Sequence, residues 1–415
     1  MKKEPQQSKG MHRGTDMDKG TVLYLGGFEL PDKNAAAHRV LSNAKLFRSQ
    51  GYHVVLIGTD KDLAPTGPIS GTKKEIQGFP SYSLPYPRSK GQWLRHVTGI
   101  RWLQEIFSLY PDIRMIVCYN YPSIALQRIL RIGKANGIKV VADCSEWYGA
   151  KGNGWLFCIV KGLDTFYRMR MLHKKADGLI VISEFLKSYY SHCENVMMLP
   201  PLIDSGEEKW ARRTMRPKEK LTFVYAGSPG RKERLDLLVE ALSKVPCDYL
   251  LYMVGVTESE VLRMYPALAE KISAQQGHVS FQGRLSHQET LDLLKTADYS
   301  CFFRERNRTT MAGFPTKFVE ALTIGTDVIT NTSGDLMKYQ HLPQVHLVSL
   351  QNLREDVANV VFQSRGKNDE EMRRPSTLFH YENYEEPFGS FLQAVFSRRN
   401  PTEKQGKNPG FLLVI

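Results

Sequence analysis

The sequence predicts an α/β protein made of two Rossmann-like parallel sheets that face each other across a cleft. Three observations predict it. Short apolar, β-rich runs alternate with helical patterns along most of the 415 residues, which implies parallel strands joined by right-handed crossovers. The alternation breaks once, near residue 200, and restarts at Thr222. The runs number ten, as many as one open sheet is normally able to hold.

In order, the runs of the first half are Thr21–Leu25, Val54–Ile57, Ile113–Cys118, Ile138–Ala142 and Leu179–Ile182, with a helical pattern over Ala35–Gln50 between the first two. Those of the second half are Thr222–Ala226, Tyr249–Val254, Val279–Phe281, Tyr299–Phe303 and Val328–Thr330. The seam falls at Leu199–Asp204, where Pro200 and Pro201 stop regular structure and a charged run follows. The expected organisation is a polar, disordered leader over 1–20, a front domain over 21–200 and a linker over 201–220. A back domain over 221–380, a C-terminal helix over 381–400 and a tail over 401–415 complete it.

Composition limits the partners. Residues 1–200 hold 28 Lys and Arg against 16 Asp and Glu, and residues 201–415 hold 28 against 27, so the net charge of +13 belongs almost wholly to the front half. An anionic surface or substrate is expected there. No nucleic-acid module accompanies the charge, so nucleic acid is not expected as a partner. No apolar run approaches the roughly twenty residues of a membrane span. The six cysteines are scattered singletons without zinc spacing, which fits small buried side chains in a cytoplasmic protein.

Parallel sheets bind ligands beyond the carboxyl ends of their strands, so the loops after the runs carry the chemistry. Gly26 and Gly27 follow the first run; their N–H groups suit an anion, and a plain turn is the alternative. Gly227, Ser228, Gly230, Arg231 and Lys232 follow the first run of the back half and precede a helix, an arrangement that suits a diphosphate or is a solvated loop. Gly313, Phe314, Pro315, Thr316 and Lys317 open a short helix with Glu320 one turn on, where a carboxylate is able to bind two ribose hydroxyls or lie on a polar surface. Glu146 follows the run ending at Ala142 and reads there as a structural carboxylate. Arg284 and Leu285 follow a further back-half run. Asp60–Lys61–Asp62 has the D-x-D pattern of metal-dependent sugar transferases, but a solvated loop is the reading adopted, and no metal is expected.

The three main loops, in this order on a double α/β rhythm, resemble the retaining glycosyltransferases of family four, which have the GT-B fold. The resemblance runs from about Val22 to Ile329, and GFPTKFVEAL followed by GTDVI is its most specific piece. It implies a nucleotide-sugar donor as substrate, with no cofactor and no metal. The diphosphate would lie between Gly26–Gly27 and Arg231–Lys232, the ribose on Glu320, and the nucleobase beside Arg284 and Leu285. Glu146, at the position of the family's acid, would accept a proton from the acceptor hydroxyl or orient a sugar, with a structural carboxylate as the equal alternative. Two departures stand out. The first acid of the family's E-x7-E pattern falls on Ala312, and the glycine that usually follows the loop lysine is Glu233. Arg304, Arg306 and Arg308 are either replacements for the missing polar contacts or a solvated loop. The acceptor would be a glycan or lipid-linked molecule in surface polysaccharide or glycolipid synthesis. A sugar-nucleotide epimerase and a non-catalytic nucleotide-sugar-binding partner are the alternatives.

One further expectation concerns an anionic membrane surface at the inner face. Between Glu75 and Glu105 there is no acid, while Arg88, Lys90, Arg95 and Arg101 alternate with aromatic residues. Trp93, Val97, Ile100 and Leu103 recur at helical spacing, and a second basic cluster comprises Arg168, Arg170, Lys174 and Lys175. A helix packed on its own sheet is the alternative.

Overall fold

The computed structural model describes residues 19–64, 67–147, 154–211, 220–228, 230, 232–245, 247–275, 277–364 and 375–398. Residues 1–18 of the leader, residues 212–219 of the linker, the tail and Arg231 lie outside the described residues.

The front sheet has eight strands: β1 (Thr21–Gly26), β2 (His53–Asp60), β3 (Lys74–Ile76), β4 (Phe79–Pro85), β5 (Ile113–Tyr119), β6 (Lys139–Cys144), β7 (Gly178–Val181) and β8 (Val196–Met198). Their order is β3-β4-β2-β1-β5-β6-β7-β8, parallel except for the β3–β4 pair. The back sheet has six: β9 (Leu221–Ala226), β10 (Tyr249–Val254), β11 (Val279–Gly283), β12 (Tyr299–Phe302), β13 (Asp327–Asn331) and β14 (Val345–Val348). It is fully parallel, in the order β11-β10-β9-β12-β13-β14. All ten expected runs are strands. The four additional ones, β3, β4, β8 and β14, lie at or next to sheet edges, where strands are short and need no continuous apolar run.

The front-half helices are α1 (Ala35–Ser49), α2 (Lys90–Thr98), α3 (Leu103–Leu109), α4 (Ser123–Asn136), α5 (Trp155–Tyr167) and α6 (Glu184–Tyr189). Those of the back half are α7 (Leu235–Ala241), α8 (Glu258–Met264), α9 (Ala269–Ala274), α10 (His287–Thr296), α11 (Arg308–Ala312), α12 (Thr316–Ile324) and α13 (Leu353–Ser364). Apolar residues that alternate along the front strands fill a core on each face of that sheet, Val22, Tyr24 and Val54 on one side and Leu23, Leu25 and Val55 on the other. The expected stripe from Trp93 to Leu103 is not one helix. α2 stops at Gly99, where a Cβ would lie 2.5 Å from the Arg95 carbonyl oxygen, and Ile100 and Leu103 turn into the front core.

The last helix, α14 (Glu385–Ser397), returns to the front half. Phe388 packs edge-on against Phe47 of α1 at 4.8 Å, and Phe391 and Val395 sit so close to β7 that a side chain at Gly178 would meet both within 3 Å. The chain therefore crosses between the halves at two places, and the crossings are bonded to each other. Ile203 N–H donates to Phe379 O (3.0 Å) and Tyr381 N–H to Ile203 O (2.9 Å). Cys118, Cys144 and Cys301 are buried single thiols; burial pushes the Cys144 thiol up to about 11.

Candidate active site

The carboxyl ends of the two sheets meet across a cleft, and a cavity of about 110 Å³ lies between them. A larger hollow, about 710 Å³, lies at the opposite, amino-terminal end of β1, beside Lys19, Asp112 and α14. It lacks the strand-end loops that place functional groups in a parallel sheet, so the cleft is the candidate site.

From the front half, α1 supplies His38 and Arg39, β5 ends on Tyr119, and the loop after β6 supplies Ser145 and Glu146. These are set by a buried polar network. Asp143, fully enclosed at the end of β6, accepts from Arg39 Nη2 (2.7 Å), Tyr24 Oη (2.5 Å) and Asn43 Nδ2 (3.4 Å). Arg39 Nη1 donates to the Leu199 carbonyl (2.9 Å), which ties α1 to the first crossing. Ser145 Oγ donates to Tyr119 Oη (2.9 Å) and accepts from Asn120 Nδ2 (2.7 Å). Gly26 and Gly27 stay outside the cavity lining: a Cβ on Gly26 would lie 2.8 Å from Tyr119 Cβ, and Gly27 faces open space.

The back rim is cationic. Lys232 lies half-exposed, and its Nζ is 3.6 Å from Glu146 Oε1 across the cleft. Arg304, at the end of β12, lines the cavity while almost wholly buried. Its Nε lies 3.3 Å from Glu233 Oε1 without a well-formed hydrogen bond. Arg306 and Arg308 are exposed, the latter stacked 4.9 Å over Trp147 of the front half. Glu233, the departure from the usual glycine, thus anchors the rim, because its Oε2 also holds Lys317 Nζ (3.1 Å). Lys317 does not reach the cleft. Its amine lies 4.2 Å over the Tyr225 ring, and burial lowers its affinity for the proton. Gly227 has no room for a side chain, since a Cβ would lie 2.7 Å from Tyr225 Oη and 2.8 Å from Lys317 Nζ. Gly255, at φ +88°, lets that loop approach, since its own Cβ would lie 2.3 Å from Gly227 O. Ser228 and Arg284 are exposed, and Leu285 packs against the back core.

Gly313, Phe314 and Thr316 line the cavity at the start of α12, which Pro315 precedes and left-handed Gly325 (φ +82°) ends. Thr316 and Glu320, four apart, share the cleft face of that helix. Glu320 Oε1 is 3.5 Å from His287 Nε2, too long for a strong hydrogen bond, and the His287 ring lies 4.2 Å from that of His38 of the front half, the two planes inclined by 41°. Burial pushes the Glu320 carboxyl up, but His287, His38 and Lys317 outweigh it and hold the group below its usual value. Burial and the neighbouring His287 push His38 down to about 4. Ala312 is buried with no carboxylate in its place, and its carbonyl accepts from Ser183 Oγ across the cleft (2.9 Å). His38, Arg39, Trp210 and His287 are site residues that no loop motif reveals. Arg304 had a visible signal in its position directly after a back-half strand.

Residues 206–340 match the family model described as glycosyl transferases group 1. No curated protein matches the chain. Among solved structures, sucrose-phosphate synthase from Thermosynechococcus elongatus is 16% identical over 92% of this chain and 100% of its own, with a TM-score of 0.67. The catalytic domain of starch synthase IV from Arabidopsis thaliana, bound to ADP and acarbose, is 10% identical over 91% and 100%, with a TM-score of 0.65. HepE of Anabaena, in complex with UDP-glucose, is 12% identical over 90% and 100%, with a TM-score of 0.59. These likenesses establish the GT-B fold.

Proposed function

We propose that the protein is a retaining hexosyltransferase that moves a sugar from a nucleotide-sugar donor to a glycan or lipid-linked acceptor in surface polysaccharide or glycolipid synthesis. The observation that carries this reading is the convergence of Lys232, Arg304 and Glu320 on one cavity between the strand ends of both sheets. Two cations on fixed backbone suit a leaving diphosphate. The acid on α12 suits the ribose. That neighbouring GT-B structures hold ADP or UDP-glucose supports the assignment.

The 110 Å³ cavity is small beside the roughly 300–1,000 Å³ of ordinary ligand sites, so the halves part to admit the donor. The diphosphate displaces Glu146 from Lys232. The sugar C1–O bond to the diphosphate then breaks as the acceptor oxygen closes on C1 from the same face. Glu146, freed of its cation, takes the hydroxyl proton. Charge developing on the diphosphate is met by Lys232 and Arg304, so no metal is required. Asp60 and Asp62 instead face Lys74 at 4.0 Å and Lys33 at 3.1 Å.

The test is release of nucleoside diphosphate from a panel of UDP-, ADP- and GDP-sugars, with and without lipid-linked acceptors and with EDTA present. Acceptor-dependent release that survives EDTA is the expected result. Ala312 favours a second reading, a nucleotide-sugar-binding partner without turnover; donor binding with no release under any condition would establish it.

A further inference from the structure

Most of the front-half surface is polar, but α5 is not. Trp155, Ile159, Leu163 and Phe166 recur at spacings of four, four and three and form one stripe, all of them exposed. Trp155 is 76% exposed, Leu163 63%, and Val160 beside them 60%. Phe157, and Met171 just beyond the helix, are also exposed. Among the described residues nothing covers this apolar face, which leaves it an unpartnered surface.

Charge identifies the occupant. α4 lies beside both α2 and α5. Ser123 N–H donates to Asp164 of α5 (2.8 Å), and Arg128 Nη1 to the Thr98 carbonyl at the end of α2 (2.7 Å). Apart from Arg168, which is buried against Asp164, α2, α4 and the stretch from Trp155 to Lys175 carry nine Lys and Arg, and Asp164 is their single acid. Trp93 and Leu94 of α2 and Ile124 of α4 add exposed apolar side chains. A second copy of the chain would set this basic surface against itself; an anionic lipid surface complements it. The thirteen residues of α5 span about 20 Å, too short to cross the roughly 30 Å of a bilayer core. Among the described residues no helix is long and apolar enough to cross a membrane.

We infer that α5 lies in the plane of an anionic membrane, its apolar stripe inserted among the acyl chains and the cations of α2, α4 and the segment after α5 on the headgroups. The helix begins nine residues after Glu146, so docking brings the front rim of the cleft to the bilayer. This assigns the acceptor to the lipid phase. That last step rests on the transferase reading; the docking does not.

Flotation of the full chain with vesicles, in the absence of any donor, tests the docking apart from turnover. Binding to mixed phosphatidylcholine and phosphatidylglycerol vesicles at low salt is expected, with little binding to phosphatidylcholine alone and release as salt rises. Combined Trp155→Ser, Ile159→Ser and Leu163→Ser should lower binding at least about tenfold with the melting temperature unchanged, because these side chains make few internal contacts. Lipids brominated on their acyl chains should quench tryptophan fluorescence less in Trp155→Phe than in the parent. Combined Arg170→Glu, Lys174→Glu and Lys175→Glu should weaken binding without removing the quenching of what remains bound. Failure to float with anionic vesicles at low salt, or equal binding by the triple-serine variant, overturns the inference. So does a dimer in light scattering that the triple-serine variant converts to monomer, which would give the face to a second copy.

Discussion

The two rims of the cleft follow opposite electrostatic plans. On the front rim, Asp143 and Arg39 are buried together, and Tyr24, Asn43 and the Leu199 carbonyl share in their bonds. Asp143 and Arg39, both buried and joined by several hydrogen bonds, make this rim rigid. On the back rim, one carboxylate, Glu233, serves both Arg304 and Lys317, while Lys232 leans on Glu146 across the solvent-exposed cleft. Half-exposed Lys232 exchanges partners at low cost, unlike the buried Arg304 and Lys317. The difference teaches that the front rim is a scaffold and the back rim keeps its positive charge for an arriving anion.

The sharpest way to break this contrast is Asp143→Ala. It leaves the Arg39 guanidinium uncompensated in the core and should lower stability by about 3–5 kcal/mol in urea unfolding. A loss under about 1 kcal/mol, the range of exposed pairs, would show that the front rim is no scaffold. Lys232→Ala should do the reverse, leaving the melting temperature near the parent's and cutting turnover by about two to three powers of ten. Glu320→Gln should weaken nucleoside diphosphate binding about tenfold in calorimetry, since an amide replaces charge-assisted bonds to hydroxyls; unchanged affinity would make Glu320 structural.

The smallest effect lies where the rims touch. His38 has a pKa of about 4 in the folded protein and 6.5 when unfolded. Below pH 6.5 the unfolded chain therefore takes up a proton that the folded chain refuses. The stability contributed by neutral His38 is complete above pH 6.5 and declines as pH falls toward 4. Its surroundings include His287, Glu320, Lys209 and Asp32. Stability curves of the parent and His38→Gln should diverge by about 1 kcal/mol at pH 5.5 and run parallel above pH 7.

The back rim was legible because its chemistry is contiguous. A glycine loop after a strand and the GFPTKFVE segment each place their groups within a few residues. Lys317 shows where such reading stops. Thr316 and Glu320 share one face of α12, but the next residue along from Thr316 is rotated about 100° away and enters the core. The front rim was not legible because its partners are remote in sequence. Arg39 and Asp143 are 104 residues apart, and His38 meets His287 from another sheet. The apolar stripe of α5 is illegible in the sequence for a different reason. Its residues look like any buried helix, and only the packing around them reveals that nothing in the described chain covers the face.

The paired crossings at Ile203 and Phe379–Tyr381 have a mechanical consequence. Two backbone segments side by side, stitched by two hydrogen bonds, behave as a flexure strip: bending across the strip is soft, whereas sliding one segment past the other breaks both bonds. The parting of the halves that the proposed donor entry requires would thereby be a swing about one axis. Ile203 and Trp210 themselves line the cavity, so the pivot doubles as its floor and stays put while the mouth, with Lys232 on one jaw and Glu146 on the other, gapes. Travel is then set by lever arm, and the Lys232–Glu146 pair, 3.6 Å across the mouth, is the clasp that the proposed diphosphate would undo.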